Sequence, residues 1–395
     1  MKRTIITALA LLAAGAVGAL LFAWSGLYNV AASREHWAVT NWVLHFTLRN
    51  SVETHAMAIQ APPLDDESMV FRGLGHYEGG CKPCHGAPGD AGNPIVQRIL
   101  PQPPNLAESV SDWSDAELFW IVRNGLKYAG MPAWVAPERD DEVWSVVAFL
   151  RRMSGMPAEE YRRLARNDTI FDPEAVEQTA ALLAQAGPVG GGLLACARCH
   201  GLRGEGGGAG AFPRLAGQKA EYLEAAMLAY AQGTRPSGIM QPIAAELSGE
   251  EIRRLSDHYA AMDPADGAPR PAAGDAVRLA PDHRETLALG RRIAEQGLPE
   301  QGVPACASCH GPSGRAEPGQ RHALYPALEG QFAPYLVQQL TLWTQGKRGG
   351  NAYSRIMEAA VRTLRPEQIA AVAAHYAALP PAGAQAGTQA GERPQ

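Results

Sequence analysis

The chain has 395 residues, 46% of them apolar and 19% charged, with a formal net charge of −5. That composition excludes a disordered chain and suggests two to four globular domains. No Lys/Arg-rich run occurs, so no nucleic-acid partner is expected.

Lys2 and Arg3 precede Ile5 to Trp24, a stretch without charge. Twenty residues at about 1.5 Å each match a hydrocarbon thickness of about 30 Å, so residues 1–30 are expected to form a retained N-terminal membrane anchor. Val30-Ala31-Ala32 resembles a small-residue cleavage site, and a removed signal peptide is the other reading. The two cations belong on the cytoplasmic side, which puts everything after the anchor outside. Residues 31–63 contain a connecting helix over 34–60 that carries His36, His45 and His55. Its Trp37, Trp42 and Phe46 are expected near lipid headgroups or against the first domain. Pro62 and Pro63 then break the helix.

Three domains are expected behind it, over 64–165, 175–265 and 277–380. A Pro/Ala/Gly-rich linker spans 264–276, and a low-complexity tail, expected to be disordered, covers 381–395. The second and third domains are copies of one module. PRLAGQ (Pro213 to Gln218) answers to PALEGQ (Pro326 to Gln331), Tyr222-Leu223 to Tyr335-Leu336, Gln232-Gly233 to Gln345-Gly346, and His258-Tyr259 to His375-Tyr376.

All six cysteines fall in three C-x-x-C-H motifs: Cys81, Cys84 and His85; Cys196, Cys199 and His200; Cys306, Cys309 and His310. This is the attachment signature of c-type haem. Two thiols about one helical turn apart reach the two vinyl groups of one macrocycle, and the next residue lies beneath the iron as proximal ligand. A thioredoxin-like pair would need a βαβ context, which the sequence lacks. Zinc is a poor fit to three well-separated pairs, each with its own adjacent histidine.

A low-spin carrier needs a sixth ligand, and a methionine thioether raises the potential. Met131 lies between Gly130 and Pro132, which suits an extended ligand loop. Met240 and Met357 each follow an isoleucine at the same distance before the His-Tyr pair. Met57, Met69, Met153, Met156, Met227 and Met262 read as core filler. His258 and His375 compete as ligands but read as structural residues on terminal helices.

At these residues the chain resembles the class I cytochrome c family over about 64–380. The resemblance implies an all-α fold, with three class I cytochrome c domains in tandem behind one transmembrane helix. In each, an N-terminal helix leads into C-x-x-C-H, a loop delivers the axial methionine, and a C-terminal helix packs across the first. The last two domains are similar to tandem dihaem cytochromes of bacterial respiratory chains. The family also implies a proline carbonyl accepting from the proximal imidazole, a position matched by Pro213 and Pro326 and more loosely by Pro104. An insertion, Gly349 to Tyr353, departs from the repeat before Met357.

The expected cofactors are three covalently bound c-type haems, and no catalytic residue is assigned. The expected function is electron transfer on the periplasmic side of the bacterial inner membrane. A quinol oxidoreductase or periplasmic dehydrogenase would donate, and a terminal oxidase or soluble carrier would accept. The chain would then be a carrier, or the cytochrome subunit of an oxidoreductase complex. The alternative is a haem enzyme, a peroxidase or sulfur-compound oxidase, with one displaceable sixth ligand; Met357 is the place to look.

Overall fold

In a computed structural model the structure describes residues 2–165, 190–264, 283–315 and 323–381. The expected linker and tail, apart from Pro264 and Pro381, lie outside the described residues, as do 175–189 and 277–282 of the expected second and third domains. The fold is all-α. Among the described residues there are isolated β-bridges but no strand.

Helix α1 (Lys2–Ser25) is long and apolar enough to cross a membrane, and none of it is buried. Helix α2 (Ala38–Ala56) splits into two parts. Val52 and Ala56 are buried near its end, where His55 meets Trp120 and the Arg49 guanidinium lies 4.9 Å from the Trp113 ring. Near its start Val39, Trp42, Val43 and Phe46 are exposed, with Trp42 and Phe46 stacked at 5.5 Å.

The first core forms where α3 (Glu67–His76) crosses α5 (Asp140–Met153), with α4 (Asp115–Asn124) beside them. Asp66 caps α3 by accepting from the Met69 amide, and Ser114 and Glu117 close a capping box on α4. Val143, Val146, Val147 and Leu150 form an apolar stripe on α5 that meets Tyr77, Leu74 and Val110. Gly73 sits at the crossing, where a Cβ would collide with the Ser145 carbonyl.

The second core joins α6 (Gly190–His200), α7 (Ala220–Ala231), α8 (Met240–Ala245) and α9 (Gly249–Ala260). The third joins α10 (His283–Gln296), α11 (Ala333–Thr344), α12 (Ser354–Val361) and α13 (Pro366–Ala378). Their last helices carry the α5 stripe again: Ile252, Leu255, Ser256 and Tyr259 on α9, and Ile369, Val372, Ala373 and Tyr376 on α13. Gly290 repeats the role of Gly73, since a Cβ there would collide with the Ala371 carbonyl.

Candidate haem sites

Each motif ends a helix and is followed by a left-handed glycine. Helix α3 continues through a π-turn (Tyr77–Cys81) into Lys82–His85, α6 ends on His200, and a one-turn helix Ala307–His310 carries the third. Gly86, Gly201 and Gly311 have φ of 66°, 79° and 87°, values that side chains with a Cβ rarely adopt. The chain therefore leaves the helix sharply and returns a proline carbonyl to the imidazole. His85 Nδ1 donates to Pro104 O at 2.9 Å, His200 Nδ1 to Pro213 O at 2.9 Å, and His310 Nδ1 to Pro326 O at 3.0 Å. All three proline matches, including the looser Pro104, make the contact. With Nδ1 engaged, Nε2 is the nitrogen left for a metal.

Burial lowers the pKa of all three histidines, against the pull of the proline carbonyl, which keeps the rings neutral as metal ligation requires. Burial also pushes the Cys81 thiol up to about 12 and those of Cys196 and Cys306 up to about 11. Raised thiol pKa values work against a thiolate-metal site at these positions.

The second and third motifs share one cavity of about 820 Å³, lined by Cys196, Cys199, His200 and Met240 and by Cys306, Cys309, His310 and Met357. Met240 opens α8, with its amide donating to Ser237 Oγ at 3.2 Å, and Met357 lies in the first turn of α12. Met131 lies in a tight turn closed by the Leu126 amide on its own carbonyl at 3.1 Å. Of the expected fillers, Met153 and Met156 are buried in the first core, whereas Met57 is 76% exposed on the surface after α2. Met227 and its counterpart Leu340 both line the cavity.

Four buried arginines, Arg139, Arg214, Arg235 and Arg348, also line the cavity. Arg235 donates to Tyr335 Oη and Gln339 Oε1, and Arg348 donates to Gln339 Oε1 and Tyr222 Oη; none of these partners is a carboxylate, and although burial opposes it, the two guanidiniums pull the Tyr222 phenol below its usual range. Buried charges are normally paired, so two guanidiniums with no carboxylate partner suit an anionic occupant. The propionate carboxylates of haem meet that need, and the residues present fit a covalently held haem. The sequence signal for these arginines was the repeated Gln-Gly-x-Arg, Gln232 to Arg235 and Gln345 to Arg348, of which only the first two residues were singled out.

Tyr259 and Tyr376, also not singled out for the site, line the cavity beside Cys196 and Cys306. The adjacent His258 and His375 do not line it. His36 Nδ1 meets Tyr28 Oη at 2.6 Å, and His45 and His55 bond carbonyls of their own helix.

The first core is anchored to the loop that precedes Met240. Arg139 donates to Pro236 O at 2.7 Å and pairs with Glu142 at 3.0 Å. Glu142 in turn accepts from Ser237 Oγ at 2.9 Å. The Asp141 carboxylate accepts from Gln338 Nε2 at 3.0 Å, which adds a link to the third core.

Comparison with known proteins agrees with this geometry. The family model for cytochrome c matches residues 190–265 and 288–379, and that for cytochrome c oxidase, cbb3-type, subunit III matches 69–150. The thiosulfate dehydrogenase electron acceptor of Stutzerimonas stutzeri is 37% identical over 186 residues, 47% of this chain and 78% of that protein. The protein of that name from Thiomonas intermedia is 35% identical, over 47% and 78% of the two chains. Cytochrome c4 of Azotobacter vinelandii is 33% identical, over 48% and 86%. With its attachment motifs, proline-bonded histidines and helical cores, the chain belongs to the class I c-type cytochrome family, electron-transfer proteins that hold haem c covalently.

Proposed function

We propose that the protein is a three-haem electron carrier, and not itself an enzyme, anchored by α1 with its haem domains (64–165, 175–265 and 277–380) in the periplasm. The observation that carries the reading is the threefold recurrence of a proline-bonded motif histidine, at 2.9, 2.9 and 3.0 Å. Cys81 and Cys84, Cys196 and Cys199, and Cys306 and Cys309 would bind the three macrocycles through thioethers. His85, His200 and His310 would each ligate an iron, with Met131, Met240 and Met357 as the second protein ligands. Arg235 and Arg348 would neutralise carboxylates of the second and third haems. Bound haem supplies one-electron exchange at iron. The protein positions the groups and keeps the histidines neutral.

The donor we favour is a periplasmic dehydrogenase, because two relatives are named as electron acceptors of thiosulfate dehydrogenase. The acceptor we favour is a terminal oxidase, because residues 69–150 match an oxidase cytochrome subunit. A pyridine haemochrome assay on the purified chain tests the cofactor count, with three haems per polypeptide expected and two or fewer refuting it. Adding thiosulfate and thiosulfate dehydrogenase tests the donor: rapid haem reduction is expected, and no reduction would redirect the search to quinol oxidoreductases.

A further inference from the structure

The peptide joining Pro213 to Arg214 is hydrogen-bonded on both sides. Its carbonyl accepts from His200 Nδ1 at 2.9 Å, and its N–H donates to Gln331 Oε1 at 3.0 Å. The peptide joining Pro326 to Ala327 repeats this, accepting from His310 Nδ1 at 3.0 Å and donating to Gln218 Oε1 at 2.8 Å. Each glutamine also donates back from Nε2, Gln331 to Arg214 O at 3.1 Å and Gln218 to Ala327 O at 3.0 Å. Both side chains are buried. Each glutamine thus belongs to one half of the repeat and grips the peptide that orients the histidine of the other half.

Hydrogen bonds in series polarise one another, most strongly away from water. An acceptor on a peptide N–H makes that peptide's carbonyl more negative. The carbonyl then draws harder on the imidazole N–H and makes Nε2 a more basic ligand. A more basic ligand favours ferric iron and lowers the reduction potential.

We propose that Gln331 and Gln218 are crossed positioning residues: Gln331 sets the potential of the haem on His200, and Gln218 that of the haem on His310. This rests on the three-haem reading above. Among the described residues no glutamine reaches the peptide after Pro104, so the first haem is an internal control.

The test is a spectroelectrochemical titration of the full-length holoprotein carrying Gln331→Met or Gln218→Met, which keep side-chain bulk but remove both hydrogen bonds to the other half. Midpoints are assigned by combination with Met240→Leu or Met357→Leu. Gln331→Met is expected to raise the second haem's midpoint alone, and Gln218→Met the third's alone. Gln331→Glu keeps an acceptor on the Arg214 N–H, and its second-haem midpoint should lie below that of the methionine variant. Unmoved midpoints, a shift confined to the mutated half's own haem, equal shifts in both halves, or a glutamate variant matching the methionine one would each overturn the proposal. A haem count below three would instead refute the underlying reading.

Discussion

The Gly238 amide donates to Glu142 Oε2 at 2.6 Å, which ties α5 of the first core to the loop that leads into Met240. Glu142 is 2% exposed and Arg139 is 6% exposed, so this seam is built on a buried charge cluster: Arg139 pairs with Glu142 and donates to both Asp141 oxygens, at 2.8 and 2.9 Å, while Pro236 and Ser237 of the second core supply further hydrogen bonds.

Removing Glu142 leaves the Ser237 hydroxyl and Gly238 amide without their acceptor, while Arg139 keeps both Asp141 oxygens. Glu142→Ala is therefore expected to destabilise the folded chain by about 1–3 kcal/mol. Denaturant unfolding of the holoprotein checks this, and a loss of under about 1 kcal/mol would show that the seam is solvated.

Acid should loosen the same region. Burial works against ionisation of Asp141, but its hydrogen bonds and charge interaction with Arg139, together with the Gln338 amide, hold its carboxyl below the usual range. A carboxylate with a depressed folded pKa contributes stability above its unfolded value, about 3.9, and loses it as pH falls through the folded value. The contacts joining the first core to the third are expected to weaken below about pH 4. In Asp141→Asn that part of the acid dependence should vanish, as followed by thermal melting against pH.

The helix crossings leave no room for a side chain. Gly73→Ala and Gly290→Ala would each push a methyl into a facing carbonyl. Overpacking of this kind costs about 1–3 kcal/mol, and backbone contact puts these sites at the upper end. Unfolding midpoints that match the parent would mean that the helices can separate without loss.

Met131→Leu should keep the first haem attached through Cys81 and Cys84 while removing its thioether ligand. The midpoint of one haem is expected to fall appreciably within the ~0.8 V range that axial ligands command. Redox titration with optical detection reads this directly, and three unchanged midpoints would reject Met131 as a ligand.

The motif cysteines and histidines and the repeat were legible in the sequence because covalent haem attachment leaves a local signature. The terminal helices were legible because α5, α9 and α13 bury the same helical face, apolar but for Ser256 on α9. The seam at Arg139 and Glu142 was not legible. Charged residues in the first turn of a helix normally face water, and nothing local to α5 marks a surface covered by Pro236 to Gly238. The His-Tyr pairs drew attention to His258 and His375 because imidazole binds iron, yet helical phase turns Tyr259 and Tyr376 toward the cavity. Gln218 and Gln331 were visible as matching positions. A repeat reveals what two copies share, but not that each copy uses the residue on behalf of the other.

That exchange has an evolutionary consequence. An excised half would give the N–H of its Pro-Arg or Pro-Ala peptide to water in place of the glutamine, and leave its own glutamine without a partner peptide. The duplicated halves are therefore not two free modules joined for convenience. On the crossed arrangement proposed above, a change at Gln218 or Gln331 reaches the histidine peptide of the sibling copy, and the two halves are expected to change together.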